Sequence, residues 1–340
     1  MAENLEIFGL SVNQTRILFS IDKYLVETDI EKSKADKKML KREWLRAWES
    51  SILDYLKSFD EKVDSLYGLY DIHEQVKAEK EKTNSLSWYY MIVLETSVFA
   101  AYTPLDKDIK KYRGLKYGDQ IETVKNLIAV DGYIESKYVE EIRSEYVQNT
   151  KKLQGKGNKT IVAIFSAVAV AAAAAALCAA FAGPIAVALV GGQFTGLYGA
   201  ALTSASLALL GGGALAAGGA GMAGGAAVIV GGGAILGMAA GGATGGVLSN
   251  ALLSSPEYII SECAKFKTVI KRVLVEYIGD VPQAKRILDE YSKEVTKLET
   301  ELDSLQNNKE QKADLKKIKQ SLKYMKITYE DCVALVENTK

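Results

Sequence analysis

The sequence predicts an all-α protein: a bundle of long helices with coiled-coil hairpins, flanking a central Gly/Ala-rich apolar helical block that inserts into a membrane. Three observations predict it. All 42 basic and 42 acidic side chains lie outside the stretch from Thr160 to Pro256. Apolar residues in the flanks recur at steps of three and four, the spacing of one helix face. The chain holds four prolines and no alternating Val/Ile/Thr run between turns, so nothing in it reads as a sheet.

The N-terminal part, residues 1–159, opens the bundle. Ile52, Leu56, Phe59, Val63, Leu66 and Tyr70 form a stripe inside a long helix expected from about Asp36 to Lys82. His73, the single histidine, falls at the next seam position and reads as a core-edge residue. Shorter amphipathic stretches follow at Ser87 to Tyr102, Gln120 to Val130 and Ile134 to Tyr146.

Residues 160–256 form the uncharged block. Glycine clusters at Gly191-Gly192, Gly211 to Gly213 and Gly231 to Gly233, with Gly183-Pro184, mark turns between candidate helices at Ile161–Ala182, Gln193–Leu210, Ala214–Val230 and Ala234–Leu253. A helix of 17 or 18 residues spans roughly 26 Å at 1.5 Å per residue, close to the lower limit for a hydrocarbon core of about 30 Å. Small residues repeat every fourth position at Gly213, Ala217, Gly221 and Gly225, and again at Gly233, Gly237, Gly241 and Gly245. On a helix they form a smooth groove against which a neighbouring backbone can pack, which predicts tight packing or homo-oligomerisation in lipid. Such glycine-rich spans are marginal in the bilayer and poor helices in water.

Residues 257–340 complete the bundle. A helix enters through Ser255-Pro256-Glu257 and carries Ile259, Cys263, Phe266, Ile270, Val273 and Tyr277 on one face. Leu288, Tyr291, Val295, Leu298, Leu302 and Leu305 then give a heptad seam, which restarts out of register at Leu315, Ile318, Leu322, Met325, Tyr329, Cys332 and Val336. The break from Gln306 to Gln311 reads as the tip of a helical hairpin. The flanks, about 240 residues, suffice for one sizeable core and are expected to pack as one bundle.

Charge places the chain. Lys151, Lys152, Lys156 and Lys159 precede the block, and Lys265, Lys267, Lys271 and Arg272 follow it. Basic residues at both ends put both flanks on the cytoplasmic side and require two or four spans. The same lysines suit an anionic leaflet. The start MAENLEIFGLSV lacks the features of a secretory signal, so synthesis and retention in the cytosol are expected, with membrane association when active. Cys178, Cys263 and Cys332 lack metal-like spacing and read as reduced packing residues. The segment GKGNKT (Gly155 to Thr160) lacks the leading glycine of a phosphate loop, and net charge zero offers no signal for nucleic acid. No catalytic, metal or cofactor-binding constellation emerges, and no enzyme is expected.

Long heptad-bearing helices before and after a central apolar segment resemble the α-helical pore-forming toxins of the cytolysin A and haemolysin BL type. In that group a hydrophobic hairpin is stowed against a helical bundle until released into a membrane. The resemblance covers the layout of the whole chain without a diagnostic motif. It implies a conditional membrane permeabiliser, a toxin or cell-death effector that inserts its apolar block and oligomerises, with the lipid bilayer and a regulatory protein as partners. The alternative is a constitutive multi-span membrane protein with a cytoplasmic coiled-coil scaffold or sensor domain.

Overall fold

The computed structural model describes residues 10–57, 60, 62–83, 85–99, 101–102, 112, 114–154, 256–305 and 312–339. Among them all regular structure is helical and no strand occurs. The Gly/Ala block, with its proposed spans and grooves, lies outside the described residues, as does the tip Gln306 to Gln311.

The first compact unit comprises residues 10–143 among those described. Its pivot is α1 (Val12–Lys32), which packs on α2 (Ala35–Lys57), α3 (Leu69–Lys82), α4 (Ser87–Val98) and α5 (Gln120–Asp131). The sequence signals the start of α1 through a reciprocal cap. The Ser11 hydroxyl accepts from the Gln14 backbone N–H at 3.1 Å, and the Gln14 side chain accepts from the Ser11 N–H at 3.0 Å. Ile17, Ile21 and Leu25 of α1 are buried, and Phe19 of α1 meets, edge-on at 6.2 Å, Trp48 of a stacked pair on α2, Trp44 and Trp48, whose ring centroids lie 5.9 Å apart. Helix α4 is apolar almost all round, with every residue from Ser87 to Leu94 buried, as befits a helix enclosed by others.

The single helix expected from Asp36 to Lys82 is two. The chain leaves α2 at Lys57 and re-enters a helix at Leu69. The intervening loop is held by α1: the Tyr67 N–H donates to Ser20 Oγ at 2.9 Å, and Arg16 Nε donates to the Ser65 carbonyl at 2.9 Å. Val63 and Leu66 are buried from this loop rather than from a helix. Tyr70, the last member of the expected stripe, points to solvent at 74 % exposure.

The second unit holds the described residues 144–154 of α6 (Lys137–Gln154), then α7 (Pro256–Thr268), a π-helix (Val269–Ile278), α8 (Val281–Leu305) and α9 (Lys312–Glu337). The buried pairs Val269/Ile270 and Val273/Leu274 are followed by half-buried Tyr277/Ile278, while Glu276 is exposed. Two α-turns from Val269 would carry Glu276 inward. A wider turn, with hydrogen bonds to the fifth residue back, carries Tyr277 and Ile278 there instead. Gly279 ends the segment at φ 75°, a left-handed conformation, with its N–H on the Leu274 carbonyl. The seam residues Leu288, Tyr291, Val295, Leu322, Met325, Cys332 and Val336 are buried. Tyr291 stacks on Tyr329, and Glu299 pairs with Lys326, so later residues of α8 meet earlier residues of α9 in antiparallel fashion.

Among the described residues no helix is long and apolar enough to cross a membrane, which overturns the permeabiliser and the multi-span anchor alike. The physical reason is plain in two cases. Helix α4 has the composition of a span, but its 12 residues reach only about 18 Å. The longer α8 and α9 spread Lys, Asp and Glu along their length and bury Leu288, Tyr291, Val295, Leu322, Met325, Cys332 and Val336.

Candidate functional site

Among the polar clusters of the described helices, three differ in whether they keep anything free for a ligand. The first is a saturated core. Lys41 is paired with Asp29, both nearly out of solvent, and also donates to Ser33 Oγ at 2.8 Å and to the Lys116 carbonyl at 2.9 Å. Asp29 in turn accepts from the Tyr102 hydroxyl at 2.5 Å and the Gly118 N–H at 3.0 Å. Tyr102 sits at φ 66°, a strained conformation that its hydroxyl bond and its edge-on contact with Trp44 hold in place. Burial, then the bond to Asp29, pushes the Tyr102 hydroxyl far above its ordinary range, so it remains a donor. The cation spends all three donors inside the unit, and the cluster is structural.

The second cluster ties the second unit together. The Glu145 carboxylate on α6, 2 % exposed, accepts from Lys271 Nζ at 2.6 Å and from Arg272 Nε at 3.1 Å, with Arg272 Nη2 at 3.0 Å. Burial raises its pKa, but the two cations more than offset that and hold it below the usual carboxylate range. Alongside run Tyr146 to Ser261 at 2.9 Å and Asn149 to Thr268 at 3.2 Å.

The third cluster keeps one group open. His73 on α3 has Nδ1 2.5 Å from Asp131 Oδ1 at the end of α5, and the Tyr89 hydroxyl on α4 donates to Asp131 Oδ2. The Asp131 side chain is 2 % exposed and the His73 side chain 20 %. A buried carboxylate accepts, so Nδ1 carries the proton, and Nε2 is left with no partner among the described residues. Burial, then the Asp131 charge, raises the Tyr89 hydroxyl well above its ordinary range and keeps it a donor. Gly132 at φ 69° ends α5 immediately after Asp131, a conformation that costs other residues strain. Asp131 is thereby fixed at the helix end, facing α3 and α4.

Exposed apolar residues adjoin this pair along the chain. Among the described residues four large apolar side chains are exposed: Met39, Leu69, Tyr70 and Val130. Leu69 and Tyr70 precede His73 by four and three residues, on its face of α3, and Val130 adjoins Asp131. The surroundings are acidic. From Asp64 to Gln75 the chain has Asp64, Asp71 and Glu74, all exposed, and no Lys or Arg; from Asn126 to Ser136 it has Asp131 and Glu135 and again no Lys or Arg.

The residues singled out by sequence lie elsewhere. Gly213, Ala217, Gly221, Gly225, Gly233, Gly237, Gly241, Gly245, Lys156 and Lys159 fall outside the described residues. Lys151 and Lys152 are exposed at the end of α6. Lys265 pairs with Glu262 at 3.1 Å and Lys267 with Asp331, so both are engaged within the protein. Sequence reasoning missed the acceptor on His73, because Asp131 is 58 residues away in the chain; the acidic, cation-free runs around both were the available signal. No family model, curated protein or solved structure matches the chain, so the layout likeness to α-helical pore-forming toxins gains no relative.

Proposed function

We propose that the chain is a non-catalytic protein-binding module whose α3–α5 surface takes a basic, amphipathic helix of a partner protein. The observation that carries the reading is that three of the four large apolar side chains exposed among the described residues, Leu69, Tyr70 and Val130, lie in two stretches of chain, Asp64 to Gln75 and Asn126 to Ser136, that hold acids and no Lys or Arg. Isolated exposed apolar residues are ordinary, whereas apolar side chains set among predominantly acidic ones suit a partner of opposite sign with apolar side chains of its own. Tyr70 supplies the rigid aromatic area that dominates such contacts, and the open Nε2 of His73, three residues on along α3, supplies a hydrogen-bond acceptor.

The test uses the full chain and an 18-residue Leu/Lys amphipathic helical peptide, with a Leu/Glu peptide of the same pattern as control. Fluorescence anisotropy is expected to show binding of the first peptide only, weakened on the order of ten-fold by Tyr70→Ala and by the pair Asp71→Lys, Glu74→Lys. Equal affinity in wild type and variants sinks the reading. Self-association at the same surface, seen as a dimer mass by light scattering that Tyr70→Ala abolishes, replaces the partner with a second copy.

A further inference from the structure

The docking surface contains the only histidine in 340 residues, and the way it is held gives it one chemical freedom. Nδ1 is committed to Asp131 at 2.5 Å. The other oxygen of Asp131 is filled by the Tyr89 hydroxyl, and the carboxylate is buried. A proton gained by this assembly therefore goes to Nε2, the nitrogen without a partner among the described residues. Proton uptake changes two things at the surface. The His73–Asp131 pair goes from net charge −1 to 0, and Nε2 turns from acceptor to donor. Both changes act against a cationic ligand: an attraction is removed, and a Lys ammonium loses the lone pair to which it could donate.

We propose that His73 makes docking at this surface proton-gated, tight while the imidazole is neutral and weak once it is protonated; the inference rests on the binding reading above. The elements around the imidazole carry the following charged and titratable groups. On α3, Tyr70 and Lys77 share the face of His73, and Asp71 and Glu74 lie on adjoining faces. Helix α5 brings Asp131 and α4 brings Tyr89. The segment after α5 brings Tyr133 and Glu135, the latter 2.6 Å from Lys137. Helix α1 brings Arg16, whose guanidinium lies 3.9 Å from the centre of the Tyr67 ring. Imidazole is the side chain whose ordinary titration falls between about pH 5 and 8.

The experiment measures affinity of the full chain for the same Leu/Lys peptide at pH 8.0 and 5.5, for wild type and His73→Gln, whose amide can still donate to Asp131 and stays neutral throughout. Wild type is expected to bind about five- to ten-fold more weakly at the lower pH, and the variant to bind alike at both, a span set by one unit charge a few ångströms from the ligand. A second readout needs no variant. The lone imidazole gives one set of resonances, and reciprocity requires that saturating peptide move its titration midpoint to lower pH by the same factor. A midpoint that peptide leaves in place, or a pH dependence that survives His73→Gln, overturns the gate while leaving docking intact. Absence of peptide binding by wild type at either pH, or binding that Tyr70→Ala does not weaken, overturns the docking reading and the gate with it.

Discussion

Replacing Glu145 by glutamine tests how the second unit is held together. The carboxylate is 2 % exposed and serves two cations, Lys271 and Arg272, whose side chains are 29 % and 25 % exposed. A bond to a charged group contributes about 1.5–3 kcal/mol and a neutral one about 0.5–1.5, so neutralising the acceptor for two partners removes about 2–3 kcal/mol. Partial hydration of the cations places the expectation at the lower end, about 2 kcal/mol. The assay is hydrogen exchange of amides from Glu262 to Gly279, corrected for intrinsic rates. A loss of about 2 kcal/mol opens the segment about 30-fold more often. Acidity gives an independent check. The folded carboxylate titrates below its ordinary value of 4.5, so its stabilisation is present above that value and is lost as pH falls through the lower, folded one. Glu145→Gln should therefore flatten the acid limb of unfolding below about pH 4.5, with little change at pH 7 in the slope of stability against pH. Unchanged exchange in Glu145→Gln together with an unchanged acid limb would refute the clamp.

Further outcomes follow from the same geometry. Lys41→Met strands Asp29 as a buried charge and is expected to cost about 3–5 kcal/mol of first-unit stability, read from a denaturant midpoint followed by tryptophan fluorescence; a loss below 1 kcal/mol would show that the network is dispensable. Trp44, fully buried in its stack with Trp48, is expected to cost about 3–5 kcal/mol on replacement by alanine by the same measurement. Burial pushes the Cys263 thiol up to about 12 and Cys332 higher still. In a Cys178→Ser background both are expected to resist an aromatic disulfide reagent at pH 8 until the protein is unfolded, and rapid native labelling would contradict their burial. Gly132→Ala, forced to φ 69°, is expected to destabilise by about 1 kcal/mol and to loosen His73, visible as a shift of the single imidazole signal.

Periodicity and capping are local properties, and what they govern could be read from the chain. The helical class and the buried seam residues Leu288, Tyr291, Val295, Leu322, Met325, Cys332 and Val336 depend on apolar spacing within a few turns, which neighbouring helices reinforce. The α1 start is equally local, set by the reciprocal cap of Ser11 and Gln14. Other features needed the tertiary structure. The chain breaks between Lys57 and Leu69 because Ser20 and Arg16 of α1 hydrogen-bond the loop backbone, partners that lie more than 45 residues away. Val63 and Leu66 keep helical spacing while being buried from a loop, so spacing alone could not reveal the break. Tyr70 continues that spacing but faces solvent, because re-entry at Leu69 resets the helix face. The partners of His73, Lys41 and Glu145 are set by packing across 58, 12 and 126 residues, and nothing local in a sequence encodes which carboxylate a cation or imidazole will meet. Charge composition could show only that acids surround His73; the contact with Asp131 decided which of its nitrogens stays open.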